Sequence, residues 1–399
     1  MARWLLPENI SDVLPPEARV VEELRRSLLD LYRSYGYELV IPPLLEHLES
    51  LLTGSGHDLD LTTLKLVDQL SGRTLGLRAD TTPQVARIDS HILNRSGVAR
   101  LCYAGSTLHA RPMHPLASRE PLQVGAEIYG DADFGADEEI LDLAVRSARV
   151  IGSATVQIDL GHTGVVRALL GDLLQASACV EDVLAALTGK DPAALQAAGR
   201  DLAPPTRRAL HALIEMNGGV EVLDRARREL PGSAALEAAL QDLARLVRGC
   251  GADEVSIDLA DLHGFRYHTG VTFAAYVTGL SGPLLRGGRY DDIGRAFGRA
   301  RPATGFSLLD LREAAQLART APVPAIRAPR VADVRLDDFV DALRRQGEVV
   351  VRGEPHSEIG VDLAVNREIV WESGSWTVRE VAHDRSTTIN QRDDGRDGA

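Results

Sequence analysis

The sequence predicts an α+β fold with a helical insertion and a small α/β piece near its C-terminal end. At 399 residues the chain is longer than one hydrophobic core usually supports, so more than one domain is expected. Strand-like and helix-like hydrophobic patterns interleave over residues 1–320. Residues from about 163 to 250 are rich in Ala and Leu at helical spacing, which indicates a helical subdomain inserted into that first domain.

The composition is typical of a globular protein and shows no sign of a metal site. Charged residues make up 25% and apolar residues 44%, and the net charge of −13 disfavours a broad nucleic-acid-binding surface. Cys102, Cys179 and Cys250 are far apart, so neither a disulfide framework nor a zinc site is predicted. No apolar run suits a signal peptide or a membrane span. We therefore expect a cytoplasmic protein with no cofactor, no nucleic acid and no membrane association.

The N-terminal part predicts a helix, an edge strand, a hairpin and a second helix. Helical spacing follows Pro15-Pro16-Glu17 and ends at Gly36. The strand over residues 37–46 is interrupted by Pro42-Pro43, which places it at an edge or an interface. Residues 50–62 have the pattern of a loop. The remaining elements are a hairpin of residues 64–68 and 74–78, and a helix that begins around Asp80-Thr-Thr-Pro83 and reaches Leu93.

Two further strands, residues 99–108 and 122–129, flank a polar loop. In the second strand Gln123 and Glu127 share one face. That face predicts either a polar pocket above the sheet or exposure to solvent, and the strand alone favours exposure. A helix over residues 137–151 and a strand over 156–162 lead into the helical insertion.

After the insertion, residues 257–273 carry a rare run of polar and aromatic side chains. Read as a strand, the run would place Phe265, Tyr267 and Thr269 on one face and Arg266 and His268 on the other. Taken alone it is either an ordinary hairpin or part of a ligand site. Strand patterns at 272–278 and 283–286 and a strand-to-helix turn at 301–312 complete the first domain.

The C-terminal part is expected to be a separate small domain. Three prolines over residues 321–333 predict a linker. A small α/β domain follows over residues 334–383, with a helix at 336–346 and strands at 348–351, 359–364 and near Val370 and Trp376. The polar tail, residues 384–399, is predicted to be disordered.

Four segments of the sequence indicate a protein family when they are taken together, although each of them alone is a weak signal. They are Gly36–Glu46, Leu77-Arg-Ala-Asp-Thr-Thr-Pro83 with Arg87, Gln123–Glu127, and Tyr267-His-Thr-Gly270 followed by Gly287–Asp291. In this order they resemble the catalytic domain of histidyl-tRNA synthetases, a class II aminoacyl-tRNA synthetase fold. The resemblance covers about residues 5–320 and implies an antiparallel sheet flanked by helices. It also implies a homodimer whose interface uses the strand around Pro43 and the helix before it.

The resemblance also implies a pocket for histidine. The family's contacts fall on seven positions, with an acidic residue for the α-amino group, a Gln and a Glu, and aromatic residues around the ring. These positions are Asp80, Thr82, Gln123, Glu127, Tyr267, His268 and Tyr290. Carboxylates there can balance an ammonium or an imidazole nitrogen.

The positions that a synthetase uses to hold ATP differ in this chain. Adenylyl transfer depends on fixed cations at the developing charge, and losing one typically reduces the rate by ~10²–10³. We therefore expect no aminoacylation and assign no catalytic residue, unless Arg111 or Arg266 replaces the missing cations. The altered positions are Leu108 and Ala110 for the motif-two Arg and Glu, His263 for a further Arg, and Leu309 and Leu311 in motif three, where Arg312 remains.

The remaining pattern resembles the synthetase-like regulatory subunits of ATP phosphoribosyltransferase, the first enzyme of histidine biosynthesis. Residues 77–87, 267–270 and 303–307 match sequences that this family keeps. The resemblance implies a non-catalytic subunit, a homodimer within a hetero-octamer, that a short catalytic chain needs for activity and that mediates feedback inhibition by histidine. An active histidyl-tRNA synthetase and an RNA-binding paralogue remain alternatives. Histidine binding elsewhere, for instance at the partner interface, also remains open.

Overall fold

The computed structural model describes residues 5–53, 57–152, 155–171, 174, 180–318, 321–354 and 362–381. The chain divides into two units, Met1–Ala318 and Arg319–Ala399. Over the described ranges, no helix is both long enough and apolar enough to cross a membrane.

A nine-stranded sheet organises the first unit, and a three-stranded sheet lies beside its N-terminal part. The strands are β1 (Glu38–Leu39), β2 (Leu45–His47), β3 (Leu64–Val67), β4 (Thr74–Leu77), β5 (Ala99–Ser106), β6 (Leu122–Tyr129), β7 (Val156–His162), β8 (Asn217–Gly218), β9 (Glu254–Asp258), β10 (Val271–Val277), β11 (Leu285–Arg289) and β12 (Ala303–Leu308). The large sheet has the order β1-β5-β6-β12-β11-β10-β7-β9-β8, and the small one β2-β4-β3. Among the described strand pairs of these two sheets, only β1–β5 and β7–β9 are parallel. Strand β1 lies at the sheet edge, where the double proline predicts it.

The helices of this unit pack mainly on one face of the large sheet or form the insertion. They are Glu17–Ser34, Leu48–Leu51, His57–Thr62, Thr82–Arg87 continued by a π-helical turn Ile88–Leu93, Gly135–Val150, Thr163–Leu170, Val180–Thr188, Pro192–Ala198, Pro204–Ile214, Glu221–Glu229, Ala234–Gly249, the 3-10 turn Ile293–Phe297, and Leu311–Ala315. Over its described residues the insertion consists of helices joined by short turns, as predicted, with the two-residue strand β8 in addition. Pro204 and Pro205 begin a helix because proline is well tolerated in a first helical turn.

The two faces of β6 have different environments. Val124, Ala126 and Ile128 are fully buried in the main core, against the helices Glu17–Ser34 and Gly135–Val150. Gln123 and Glu127 alternate with them and line a cavity on the opposite face. They are only 7% and 1% exposed, so the expectation of a solvent-facing strand is wrong.

Residues 50–62, which the sequence predicts to be a loop, contain helix. Leu48–Leu51 and His57–Thr62 are helical, with residues 54–56 outside the described part. The first helix forms because its apolar side is buried by tertiary contacts. Leu51 is 2% exposed and lies against β4, where Gly76 has no side chain to displace it.

The segment between β9 and β10 is a turn and not a strand. Gly264 adopts a φ of +68°, and its carbonyl accepts hydrogen bonds from the backbone N–H groups of Tyr267 and His268 at 2.8 and 2.9 Å. The predicted alternation of faces is therefore wrong. Tyr267 and His268 both line the cavity, whereas Arg266 points away and forms an ion pair with Glu181.

The second unit is a four-stranded sheet with one helix. Its strands are β13 (Val323–Ala328), β14 (Val350–Arg352), β15 (Leu363–Glu372) and β16 (Ser375–Glu380), in the order β14-β13-β15-β16, and the helix is Val334–Arg345. The predicted linker is thus partly wrong, since β13 is a central strand with Ala325, Ile326 and Ala328 fully buried. Pro324 is tolerated there because β14 pairs only with residues 326–328.

Two predicted segments of this unit lie partly or wholly outside the described residues. The strand predicted over residues 359–364 is only partly described, and its described end belongs to the long strand β15. The tail, residues 384–399, lies outside the described part of the chain.

Candidate functional site

A cavity of about 570 Å³ opens above the face of the large sheet that carries Gln123 and Glu127. Side chains from β6, β10, β11 and β12 form its floor, and the helix start near Asp80 and the turn before β10 form its walls. The structure brings all seven predicted pocket residues into this one cavity. They are Asp80, Thr82, Gln123, Glu127, Tyr267, His268 and Tyr290.

Glu127 is a buried carboxylate at the floor of the cavity. Its Oε1 accepts hydrogen bonds from the hydroxyls of Thr82 at 3.1 Å and Tyr103 at 3.3 Å. No described residue donates a hydrogen bond to its Oε2. Burial, together with the charge of Asp80, raises the pKa of Glu127 well above its ordinary value. A cationic ligand group at Oε2 would remove this unfavourable burial of a carboxylate.

Gly305 provides the space beside this carboxylate. A Cβ atom at position 305 would lie 1.7 Å from Oε2 of Glu127 and 2.6 Å from the hydroxyl of Tyr290. Residue 305 faces Glu127 across the β12–β6 ladder, so only glycine leaves the carboxylate accessible there.

Asp80 and Gln123 form a linked pair at the helix start. The Nε2 of Gln123 donates to Oδ1 of Asp80 at 2.9 Å, and its Oε1 accepts from the backbone N–H of Thr81 at 2.9 Å. The same Oδ1 accepts from the backbone N–H of Thr82 at 3.2 Å. These bonds fix the amide orientation of Gln123 and hold the Asp80 carboxylate at the cavity wall.

Three rings form an aromatic wall. The ring centroids of Tyr267 and Tyr290 are 4.8 Å apart, and those of Tyr267 and His268 are 5.2 Å apart at 90°. The hydroxyls of Tyr267 and Tyr290 are buried without a hydrogen-bond partner among the described residues. Burial lowers the pKa of His268 to about 4, so this imidazole is neutral at physiological pH. The wall thus offers unpaired hydroxyl groups without adding positive charge.

Sequence reasoning missed Tyr103, Ser307 and Arg286. The hydroxyl of Tyr103 lies 2.5 Å from Oγ of Ser307 and also reaches Glu127. Gly125 was a usable signal, because a Cβ at that position would lie 2.4 Å from the Tyr103 ring. Glycine inside a strand often marks such a close approach.

The charges around the cavity do not suit a triphosphate. Arg286 is the one Lys or Arg among the described lining residues. Neither Arg111 nor Arg266 lines the cavity, and Arg312 lies 3.4 Å from Glu120 in an ion pair. His263 stands where the resemblance implies an Arg. Its side chain is exposed, and its backbone N–H and ring Nδ1 form hydrogen bonds with Oδ1 of Asp261. The acidic lining residues are Asp80, Glu127, Asp159, Asp261, Asp310 and Glu313.

The sheet, the cavity and the helix at Asp80 define a histidyl-tRNA synthetase-like protein of the class II fold. Residues 9–313 match the family described as histidyl-tRNA synthetase, and residues 323–379 match the family described as ATP phosphoribosyltransferase subunit HisZ C-terminal domain. The chain belongs to the family of ATP phosphoribosyltransferase regulatory subunits, because curated relatives with that name match it over almost its whole length.

Two relatives show the extent of the match. The ATP phosphoribosyltransferase regulatory subunit of Ralstonia pickettii (strain 12J) is 56% identical over 378 residues, covering 94% of this chain and 97% of the relative. That of Burkholderia multivorans (strain ATCC 17616 / 249) is 54% identical over 383 residues, covering 95% and 99%.

Solved structures agree on the fold. An ATP phosphoribosyltransferase regulatory subunit/histidyl-tRNA synthetase from Bacillus halodurans C aligns with a TM-score of 0.76 at 26% identity, covering 91% of this chain and 96% of that chain. Histidyl-tRNA synthetase from Nostoc sp. PCC 7120 aligns with a TM-score of 0.75 at 18% identity, covering 93% and 92%. The predicted α+β, class II synthetase-like fold is therefore confirmed.

Proposed function

We propose that this chain is a non-catalytic regulatory subunit of an ATP phosphoribosyltransferase, acting in the cytoplasm in the first step of histidine biosynthesis. A short catalytic chain needs it for activity, and histidine bound in the cavity inhibits the complex. The names of the relatives support the regulatory role, and the cavity supports the ligand.

The observation that carries the proposal is the charge of the cavity. An unpaired, buried Glu127 beside Asp80 suits a ligand with an ammonium or imidazole group. The same site has a single Arg among its described lining residues, so it lacks the cations that adenylyl transfer requires. The cavity binds a basic amino acid without activating it.

Feedback through this cavity needs no turnover. An inhibitor shifts a complex between states when it binds one of them more tightly, by about 1–3 kcal/mol in typical allosteric proteins. Histidine satisfies this condition if the arrangement of Tyr267 and Tyr290 around it differs between the active and inhibited complexes.

The test reconstitutes the full-length chain with the short catalytic subunit. Phosphoribosyltransferase activity is measured with and without this chain, with and without histidine, and histidine binding to the complex is measured by calorimetry. We expect activity only with this chain, inhibition by histidine, and loss of both binding and inhibition in Glu127→Gln. Glu254→Gln, which changes an exposed glutamate on β9, is the matched control and should behave as wild type.

Two results would contradict the proposal. If the catalytic chain were as active without this chain as with it, the regulatory role would be excluded. Histidine-dependent ATP–pyrophosphate exchange by the isolated chain would instead indicate an active synthetase.

A further inference from the structure

Arg286 is a cation in an otherwise acidic cavity, and no sequence motif pointed to it. It lies on β11, opposite Ser307 of β12 and Ala274 of β10. Its side chain is half-buried and contributes to the lining of the cavity floor.

The side chain of Arg286 makes no hydrogen bond and no ion pair within 4.0 Å in the described part of the chain, although its charge acts on the carboxylate of Asp261. The nearby carboxylates already have other partners. Asp159 accepts hydrogen bonds from the side chains of Gln157, at 3.3 Å, and Ser256. Asp261 accepts from the backbone N–H of His263 at 3.1 Å and from its ring. A half-buried guanidinium that stays unpaired among carboxylates is available to an anionic group of a ligand.

Arg286 and Glu127 project over the same face of the large sheet from strands that are separated by β12. Strand β12 lies between β6 and β11, so the two backbones are about 10 Å apart across the sheet. Glu127 faces Gly305 and Arg286 faces Ser307, an offset of two residues along β12. Both side chains are long, project over the same face and line the same cavity, so a small ligand with opposite charges can contact both of them.

We propose that Arg286 binds the α-carboxylate of the amino acid whose basic groups face Glu127 and Asp80. This inference rests on the proposed histidine-sensing function and adds the residue that selects for a free carboxylate. The planar guanidinium can donate two parallel hydrogen bonds to a carboxylate. A ligand with several phosphates is disfavoured because six acidic residues line the cavity, with Arg286 as the one Lys or Arg among the described lining residues.

The test compares two ligands and three variants of the full-length chain by calorimetry. The ligands are L-histidine and L-histidinol, in which a hydroxymethyl group replaces the carboxylate. Wild type should bind histidine about 10- to 100-fold more tightly than histidinol, the range for one charge-assisted hydrogen-bonded contact. Arg286→Ala should reduce histidine affinity to the level of histidinol and leave histidinol affinity unchanged. Arg286→Lys should restore part of the difference.

The control is Arg295→Ala, which removes an exposed arginine paired with Asp292 and should change neither affinity. If Arg286→Ala leaves histidine affinity intact while Glu127→Gln abolishes it, the carboxylate contact is overturned and the sensing function stands. An equal loss for both ligands in Arg286→Ala also overturns the contact, because it indicates a general disturbance. If wild type binds neither ligand, both the contact and sensing in this cavity are wrong.

Discussion

Glu127 shows how one residue links function to stability. Its carboxyl is buried, and two hydroxyls satisfy one oxygen while the other oxygen has no partner among the described residues. Burial raises its pKa, so the empty protein keeps it protonated at pH values where the unfolded chain ionises it. At such pH values this carboxyl destabilises the empty protein, and under the proposed function a cationic ligand would offset that cost.

This linkage predicts a pH-dependent effect of Glu127→Gln. The stability contributed by a carboxyl with a raised pKa is complete below its unfolded value and is lost as pH rises toward its folded value. The Gln variant does not titrate and keeps an acceptor for Thr82. We expect the variant to gain free energy of unfolding relative to wild type as pH rises from 5 to 8 (roughly the range above the ordinary glutamate pKa). Urea unfolding of the ligand-free proteins measures this gain.

The control for this experiment is Glu254→Gln, which makes the same substitution at an exposed glutamate on β9, and the gain for Glu127→Gln is measured against it. A constant difference between Glu127→Gln and wild type across the same range would show that Glu127 is ionised in the empty protein.

At the scale of elements, the turn before β10 determines where the aromatic wall stands. Gly264 has a φ of +68°, and its carbonyl holds the N–H groups of Tyr267 and His268. Side chains other than glycine are strained in this left-handed conformation by roughly 1–2 kcal/mol. A Cβ at Gly264 would also lie 3.0 Å from the His268 ring.

We therefore expect Gly264→Ala to lower the free energy of unfolding by roughly 1–2 kcal/mol and to weaken histidine binding. Chemical unfolding and calorimetry measure the two effects. The control is Gly249→Ala at the end of the helix Ala234–Gly249, where the added Cβ meets nothing within 4 Å outside its own helix and chain neighbours. It should leave histidine binding unchanged and not lower the free energy of unfolding, since an unstrained Gly→Ala change adds about 0.4–1 kcal/mol. Wild-type histidine affinity in Gly264→Ala would mean that the turn does not position the wall.

This turn also shows why sequence predicts some elements and not others. Strand β6 has its predicted bounds because alternation, burial and pairing agree over eight residues. Residues 263–270 look equally strand-like, but the left-handed glycine bends the backbone. The strand Val323–Ala328 was not predicted because its sequence contains proline. Proline is tolerated there because β14 pairs with only part of this strand. Local pattern fails where a single backbone conformation or a tertiary contact decides the structure.

At the scale of the whole molecule, the pocket residues were predicted by an ordered set of motifs and not by their local pattern. Asp80 and Tyr290 are far apart in sequence, and only the family resemblance places them together. Arg286 and Tyr103 belong to no such motif, so their place in the cavity became visible only with the register of the sheet. Composition and periodicity do not show which strands pair or in what register, and that pairing decides which distant residues meet in the cavity.

The predicted homodimer is a property of the whole molecule, and its interface is expected around the edge strand β1. Around the edge strand β1, the side chains of Leu39, Ile41 and Leu44 are 48%, 82% and 42% exposed. A patch of exposed apolar side chains beside unpaired strand edges is typical of a protein interface. We expect the full-length chain to sediment as a dimer at micromolar concentration and Ile41→Glu to sediment as a monomer, because a charge would be buried in the interface.

The matched control is Val220→Glu, which changes an apolar residue of the insertion that is 55% exposed. It should remain dimeric, because it lies far along the sheet order from β1, next to β8 at the opposite edge. Circular dichroism of both variants checks that the fold is kept. A dimer that survives Ile41→Glu would place the interface elsewhere. A monomeric wild type would contradict the predicted homodimer.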